Sequence, residues 1–153
     1  MTDCYACLQN GKAQTDLPPR ELVYVDDSWR VVHAFGSAIP GWLVVVCRRH
    51  VTSMSLLSPR EAATLGPLLA ALSGALETVF EARKAYVAFL AEAEGFEHLH
   101  IHVVPREEAM PPERRGKRVF DWLDMPAGEA VTDEEADRIA LKLRPIVTRE
   151  MSS

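Results

Sequence analysis

Three histidines recur at every second position of an aliphatic run, His98-Leu99-His100-Ile101-His102-Val103-Val104, which closes on Pro105-Arg106. In an extended strand alternate side chains share a face. The spacing therefore predicts three imidazoles along one face of a strand whose other face packs Leu99, Ile101 and Val103. A neutral imidazole is both a ligand and a nucleophile, and its ordinary pKa of about 6.5 lets it trade protons near neutrality. Three together suit a phosphate, a metal or a shared proton. A single histidine in a half-buried strand reads instead as a hydrogen-bonded filler, and His33 is read that way.

The surrounding pattern predicts an α+β chain. Glu21 to Val25 and Trp29 to Phe35 read as strands around an Asp26-Asp27-Ser28 turn, and Trp42 to Arg48 as a third, nearly continuous apolar strand. Ser58-Pro59-Arg60-Glu61 carries a capping residue, a proline at the first helical position and the glutamate of a capping box. The helix that follows, with a kink expected at Pro67, repeats Leu65, Leu68, Leu69, Leu72, Leu76, Val79 and Phe80 on one stripe. Tyr86 to Leu90 and His98 to Val104 then form a hairpin around Glu94-Gly95. Pro105 to Arg118 reads as an irregular surface connection carrying the charges of Arg114, Arg115, Lys117 and Arg118, and Val119 to Leu123 as a short helical turn. Thr132 caps a last helix through Leu143, which Pro145 ends or kinks.

Composition bounds the function. At 153 residues and 48% hydrophobic, residues 1–153 suit one domain whose core needs no disulfide staple. A net charge of −5 provides no global positive field for duplex nucleic acid or an anionic membrane. No run of signal-peptide type and no stretch of about 20 apolar residues is read in the sequence, so a cytoplasmic protein without a membrane partner is expected. The odd cysteine count agrees with a reducing compartment. Cys47 reads as a small buried hydrophobe. Cys4-Tyr5-Ala6-Cys7 is a C-x2-C pair, which by itself is a metal half-site, a redox dithiol or a coincidence.

The triad spacing with its Pro-Arg ending resembles the signature of the histidine triad (HIT) family of nucleotide hydrolases and transferases. The Tyr24-Val25-Asp26-Asp27 to Val32 segment is similar to that family's first hairpin, and Pro40-Gly41-Trp42 to His50-Val51 to its central strand. The resemblance spans residues 4–106, leaving residues 107–153 as a charged loop and a C-terminal helix outside it. It implies a HIT-like fold: an antiparallel sheet of about five strands, one long helix, a C-terminal helix, and a homodimer paired through the long helix and a sheet edge. It also implies that His100 attacks the α-phosphorus of a small-molecule nucleotide, with water releasing the nucleotidyl-histidine, while His102 donates to the phosphate. Members with an N-terminal C-x2-C take two further ligands where this chain has His50 and His98, which implies a structural Zn2+ on Cys4, Cys7, His50 and His98.

Three positions depart from the family pattern. Glu94 stands where glutamine is frequent and brings a carboxylate to the phosphate side, Ala34 replaces the ribose-binding aspartate, and Trp42 replaces a frequent histidine. Two functions follow as expectations. One is a hydrolase or nucleotidyl transferase acting on dinucleoside polyphosphates or nucleoside phosphoramidates. The other is a non-hydrolytic, zinc-containing binding or regulatory module of the same fold.

Overall fold

A computed structural model describes residues 3–153. After a short helix α1 (Tyr5–Asn10), strands β1 (Tyr24–Val25), β2 (Trp29–His33) and β3 (Leu43–Cys47) lead into a long helix α2 (Pro59–Phe80). Strands β4 (Ala82–Phe89) and β5 (His100–Glu107) and a final helix α3 (Asp133–Met151) complete the fold. The five strands form one antiparallel sheet in the order β1-β2-β3-β5-β4. The expected fold class is present: five antiparallel strands, one long helix and a C-terminal helix.

The sheet has two unlike faces because its strands alternate. Trp29 and Val31 of β2, Leu43, Val45 and Cys47 of β3, and Leu99, Ile101 and Val103 of the β5 segment form the main core. Leu65, Leu68, Leu72 and Leu76 of α2, with Ile139, Ala140, Leu143 and Val147 of α3, pack onto that face. On the other face a smaller cluster, Ala34, Trp42, Val104, Met110 and Val119, is covered by the 3-10 turn Gly116–Trp122. The remainder of that face is an open cleft, and the catalytic histidine candidates face into it.

Several elements differ from the sequence expectation, each for a physical reason. Only two residues of the first strand pair, because Pro19–Glu21 is a 3-10 turn, and β2 stops at His33. β4 starts at Ala82, four residues before Tyr86: Arg83 and Lys84 are tolerated on an edge strand, where side chains reach water. β5 begins at His100 and continues through Pro105. Leu99 turns its carbonyl to the β3 end (Cys47 N–H, 3.2 Å), so alternate residues through Pro105 face that side, and β3 offers no partner beyond Val103. A missing N–H is harmless there.

Neither helix proline ends its helix. Pro67 and Pro145 are exposed, so the carbonyls of Ala63 and Leu141 that they strand face water. α3 runs on to Met151 because Val147 is fully buried in the core. α2 also corrects the expectation about apolar length. It is 22 residues with mean hydropathy 1.4, long and apolar enough to cross a membrane, although its leucine stripe packs on the sheet as a core helix does. α1 was not expected at all; Cys4 caps it, the Sγ accepting the Cys7 N–H at 3.5 Å.

Candidate active site and metal cluster

Register places the cleft floor. Arg30, Val46 and His100 are successive cross-strand partners, as are Val32, Val44 and His102, and all six line a cleft of about 440 Å³. Tyr5 and Ala6 of α1, the 90–96 turn, and Phe120, Leu123 and Asp124 form its walls. His98 lines it too, but lies ahead of β5, so the expectation of three imidazoles on one regular strand is corrected. Only His100 and His102 alternate within β5; His98 turns its Nδ1 to the two cysteines.

The hydrogen bonds assign opposite tautomers to the two strand histidines. His100 Nδ1 donates to the His98 carbonyl at 2.8 Å, which leaves Nε2 bare. The Trp42 indole N–H, a donor only, points at His102 Nδ1 at 2.9 Å. His102 Nδ1 is therefore the acceptor, and the neutral ring carries its proton on Nε2. Burial, and next the neighbouring His100, hold His102 down to about 4, so it is neutral at pH 7. Trp42 and Phe120 stand edge-on to its ring at 5.7 and 5.2 Å. The departure at Trp42 thus supplies a buried donor. His33 is the expected filler: Nδ1 donates to the Ala34 carbonyl at 2.9 Å and Nε2 accepts from Gly41 at 3.0 Å.

The four expected ligand residues come together from three separate segments. Cys4 caps α1 and Cys7 lies in its first turn, His50 follows β3, and His98 precedes β5. Cys4 Sγ is 3.4 Å from His98 Nδ1, Cys7 Sγ is 3.2 and 3.5 Å from the Nδ1 atoms of His50 and His98, and those two nitrogens are 3.2 Å apart. All four ligand atoms lie within 4.8 Å of one another. Zn–N and Zn–S bonds of about 2.0 and 2.3 Å at tetrahedral angles give edges of about 3.3 to 3.8 Å, so the cluster fits that ion. His98 Nε2 donates to the Cys47 carbonyl at 2.6 Å, which fixes the tautomer with Nδ1 bare, as a metal ligand needs. Burial holds His98 below the usual imidazole range, and burial pushes the Cys7 thiol up. Arg49, next to His50, is clamped by Glu61 through bonds of 3.1 and 2.8 Å; Glu61, held down to about 2 chiefly by that guanidinium, also closes the capping box of α2. Cys47 is fully buried and burial pushes its thiol up to about 11, consistent with an inert filler.

Glu94 lies exposed in the turn between β4 and β5 and walls both the cleft and the recess beside Cys4, His50 and His98. The cleft also contains residues that the sequence reading missed. Arg30 is 4% exposed, ion-paired to Glu21 at 2.6 Å and bonded through Nε to Asn10 at 2.8 Å. An arginine between the core-facing Trp29 and Val31 of an apolar strand was the available signal. Tyr5, Phe35 and Phe96 form a rim of three rings with centroids 5.6 to 6.1 Å apart. The basic residues Arg114, Arg115, Lys117 and Arg118 do not line the cleft; Arg114 lies 3.6 Å over the Trp122 ring and Arg115 donates to the Met110 carbonyl.

Comparison with known proteins gives a consistent result. A family model described as HIT domain matches residues 17–109. Among solved structures, a HIT-like protein from Bartonella henselae described as involved in cell-cycle regulation is 18% identical, over 87% of this chain and 90% of that one, with a TM-score of 0.64. A zinc-bound histidine triad family protein from Mycobacterium smegmatis is 19% identical, over 95% and 92%, at 0.63. A histidine triad protein from Bradyrhizobium japonicum is 21% identical, over 82% and 88%, at 0.67. These likenesses show a common fold. No curated protein matches the sequence.

Proposed function

Because this chain belongs to the HIT-domain family, we propose that it is a nucleotide hydrolase or nucleotidyl transferase that cleaves at the α-phosphate through a nucleotidyl-histidine, with a structural zinc beside the cleft. The observation that carries the reading is the pair of opposite tautomers. One ring offers a bare Nε2 and its strand neighbour a protonated Nε2, both on the cleft face. A nucleophile and a donor are what phosphoryl chemistry asks of two adjacent imidazoles.

In this reading His100 Nε2 attacks the α-phosphorus, an N–P bond forms, and the leaving group departs with the electrons of its bond to phosphorus. It takes its proton from water in the open cleft. His102 Nε2–H donates to a non-bridging oxygen, where charge builds. The His98 carbonyl accepts from Nδ1–H and stabilises the ring as it becomes positive. Water then attacks phosphorus and gives its proton to the hydroxide that the first step left in the cleft, the N–P bond breaks, and His100 regains its lone pair. Cys4, Cys7, His50 and His98 would hold the zinc, which would tie α1 and the end of β3 to the segment that aims His100. Glu94, exposed at the cleft wall, takes no part in the bonds to phosphate in this reading.

The test is a panel of AMP-type phosphoramidates and dinucleoside polyphosphates offered to the wild type and to His100→Ala. The expected result is turnover of at least one substrate class by the wild type and a loss of 10³-fold or more in kcat in the variant, with its zinc retained. Equal turnover by both proteins contradicts the mechanism. A wild type inert on every nucleotide, yet binding zinc, favours the non-hydrolytic module.

A further inference from the structure

Resting on the nucleotide reading above, we propose that the buried Arg30–Glu21 pair is the specificity-determining contact of the cleft and reads the polar edge of the nucleotide's base. Arg30 lies two strands from His100 along one row of the sheet, about 10 Å at ordinary strand spacing. A nucleotide held at His100 by its phosphate reaches that end of the cleft with its base. Arg30 Nε is spent on Asn10 and Nη1 on the carboxylate and carbonyl of Glu21, whereas Nη2 has no hydrogen-bond partner among the described residues. Glu21 Oε2 is spent on Arg30, and Oε1 likewise has no such partner. Both side chains line the cleft, and their partners hold them in place.

This arrangement has a chemical consequence. The rings of Tyr5, Phe35 and Phe96 at the same mouth offer apolar faces to any base, and stacking of that kind is tolerant of base identity. A guanidinium N–H beside a carboxylate oxygen is not tolerant. The bases differ in the order of acceptors and N–H donors along their edges, and a fixed donor–acceptor pair matches some orders and leaves buried groups unpaired against others. The pair therefore converts a general aromatic platform into a selective one. Its charge is balanced internally, so it reads hydrogen bonds and adds little attraction for phosphate.

The experiment is calorimetric titration of the full-length, zinc-loaded protein with AMP, GMP, CMP, UMP and ribose 5-phosphate. The wild type is expected to separate its best from its worst nucleotide by about tenfold or more. Arg30→Met should narrow that spread to within about threefold, by weakening the preferred nucleotide, and leave ribose 5-phosphate within about twofold of wild type. Glu21→Gln, nearly isosteric, should change the rank order because an amide can donate where the carboxylate only accepts. If circular dichroism shows Arg30→Met unfolded, Glu21→Gln decides alone. Equal wild-type affinity for all four nucleotides, or an unchanged spread and order in a folded variant, overturns the inference. Binding of none of the four overturns the nucleotide reading beneath it as well, an outcome distinct from equal binding of all.

Discussion

Trp42 sets the proton position of His102, and with it the difference in tautomer between two otherwise similar rings. Trp42→Phe keeps an aromatic ring beside Phe120, removes the N–H and trims the buried indole to a smaller ring. Nitrogen-15 NMR of the imidazoles should then show His102 as a mixture of tautomers, with kcat lower by about tenfold and KM within about twofold; an unchanged tautomer contradicts the assignment. His102 also predicts a pH dependence of stability. Its folded pKa of about 4 lies below the ordinary 6.5, so the folded state binds fewer protons, and stability is full above pH 6.5 and lost as pH falls towards 4. The loss over that window is roughly 3 kcal/mol by linkage, and urea titrations should show it reduced in His102→Gln. The histidine spacing made His100 and His102 legible, because period two is a local property. Trp42 and His102 are separated by 60 positions, and nothing local announces that one will donate to the other.

The metal cluster joins one short helix to two segments that lie outside the strands. α1 is six residues long and buries no residue fully, and His50 and His98 flank strands instead of lying in them. An ion shared by all four would supply the anchoring that α1 lacks and add to what Val51 and Leu99 give the other two segments. The double variant Cys4→Ser, Cys7→Ser is therefore expected to lose about one zinc per chain by metal analysis and to melt about 10 °C lower, with the residual activity per folded molecule falling less than it does in His100→Ala. Unchanged metal content contradicts the site. The long helix and the central strands were legible because leucine periodicity and apolar alternation are strong there. The boundaries of β4 and β5 were not: the sequence pattern starts the fourth strand only at Tyr86 and gives Pro105 to an irregular connection, and only the free edge and the end of β3 make Lys84 and Pro105 compatible with strands. α1 was hidden because its stabilising contacts are with distant residues, including the bond from Asn10 to the Cys47 carbonyl.

For the whole molecule, the sheet leaves β4 as an eight-residue edge, with Val87 48% exposed beside it. The outer face of α2 is small and apolar, carrying Ala62, Ala63, Gly66, Pro67, Ala70 and Gly74 in exposed positions. Pairing of two copies through this edge and helix face would cover both. Light scattering at micromolar concentration should accordingly give a mass about twice 17.0 kDa, and a mass at 17.0 kDa contradicts the pairing. The tail beyond residue 107 fell outside the family resemblance, yet Phe120, Leu123 and Asp124 wall the cleft and Val119 seals the second cluster. The tail therefore belongs to the architecture of the site. In the proposed reaction His100 becomes covalently bonded to phosphorus. Rapid acid-free quenching of the wild type during turnover of a nucleoside phosphoramidate, followed by intact-mass measurement and peptide mapping, tests it most directly. The expected result is a mass increase of one nucleotidyl group located on His100 and absent from His100→Ala; turnover with no adduct at any time, or an adduct on another residue, rules the covalent step on His100 out.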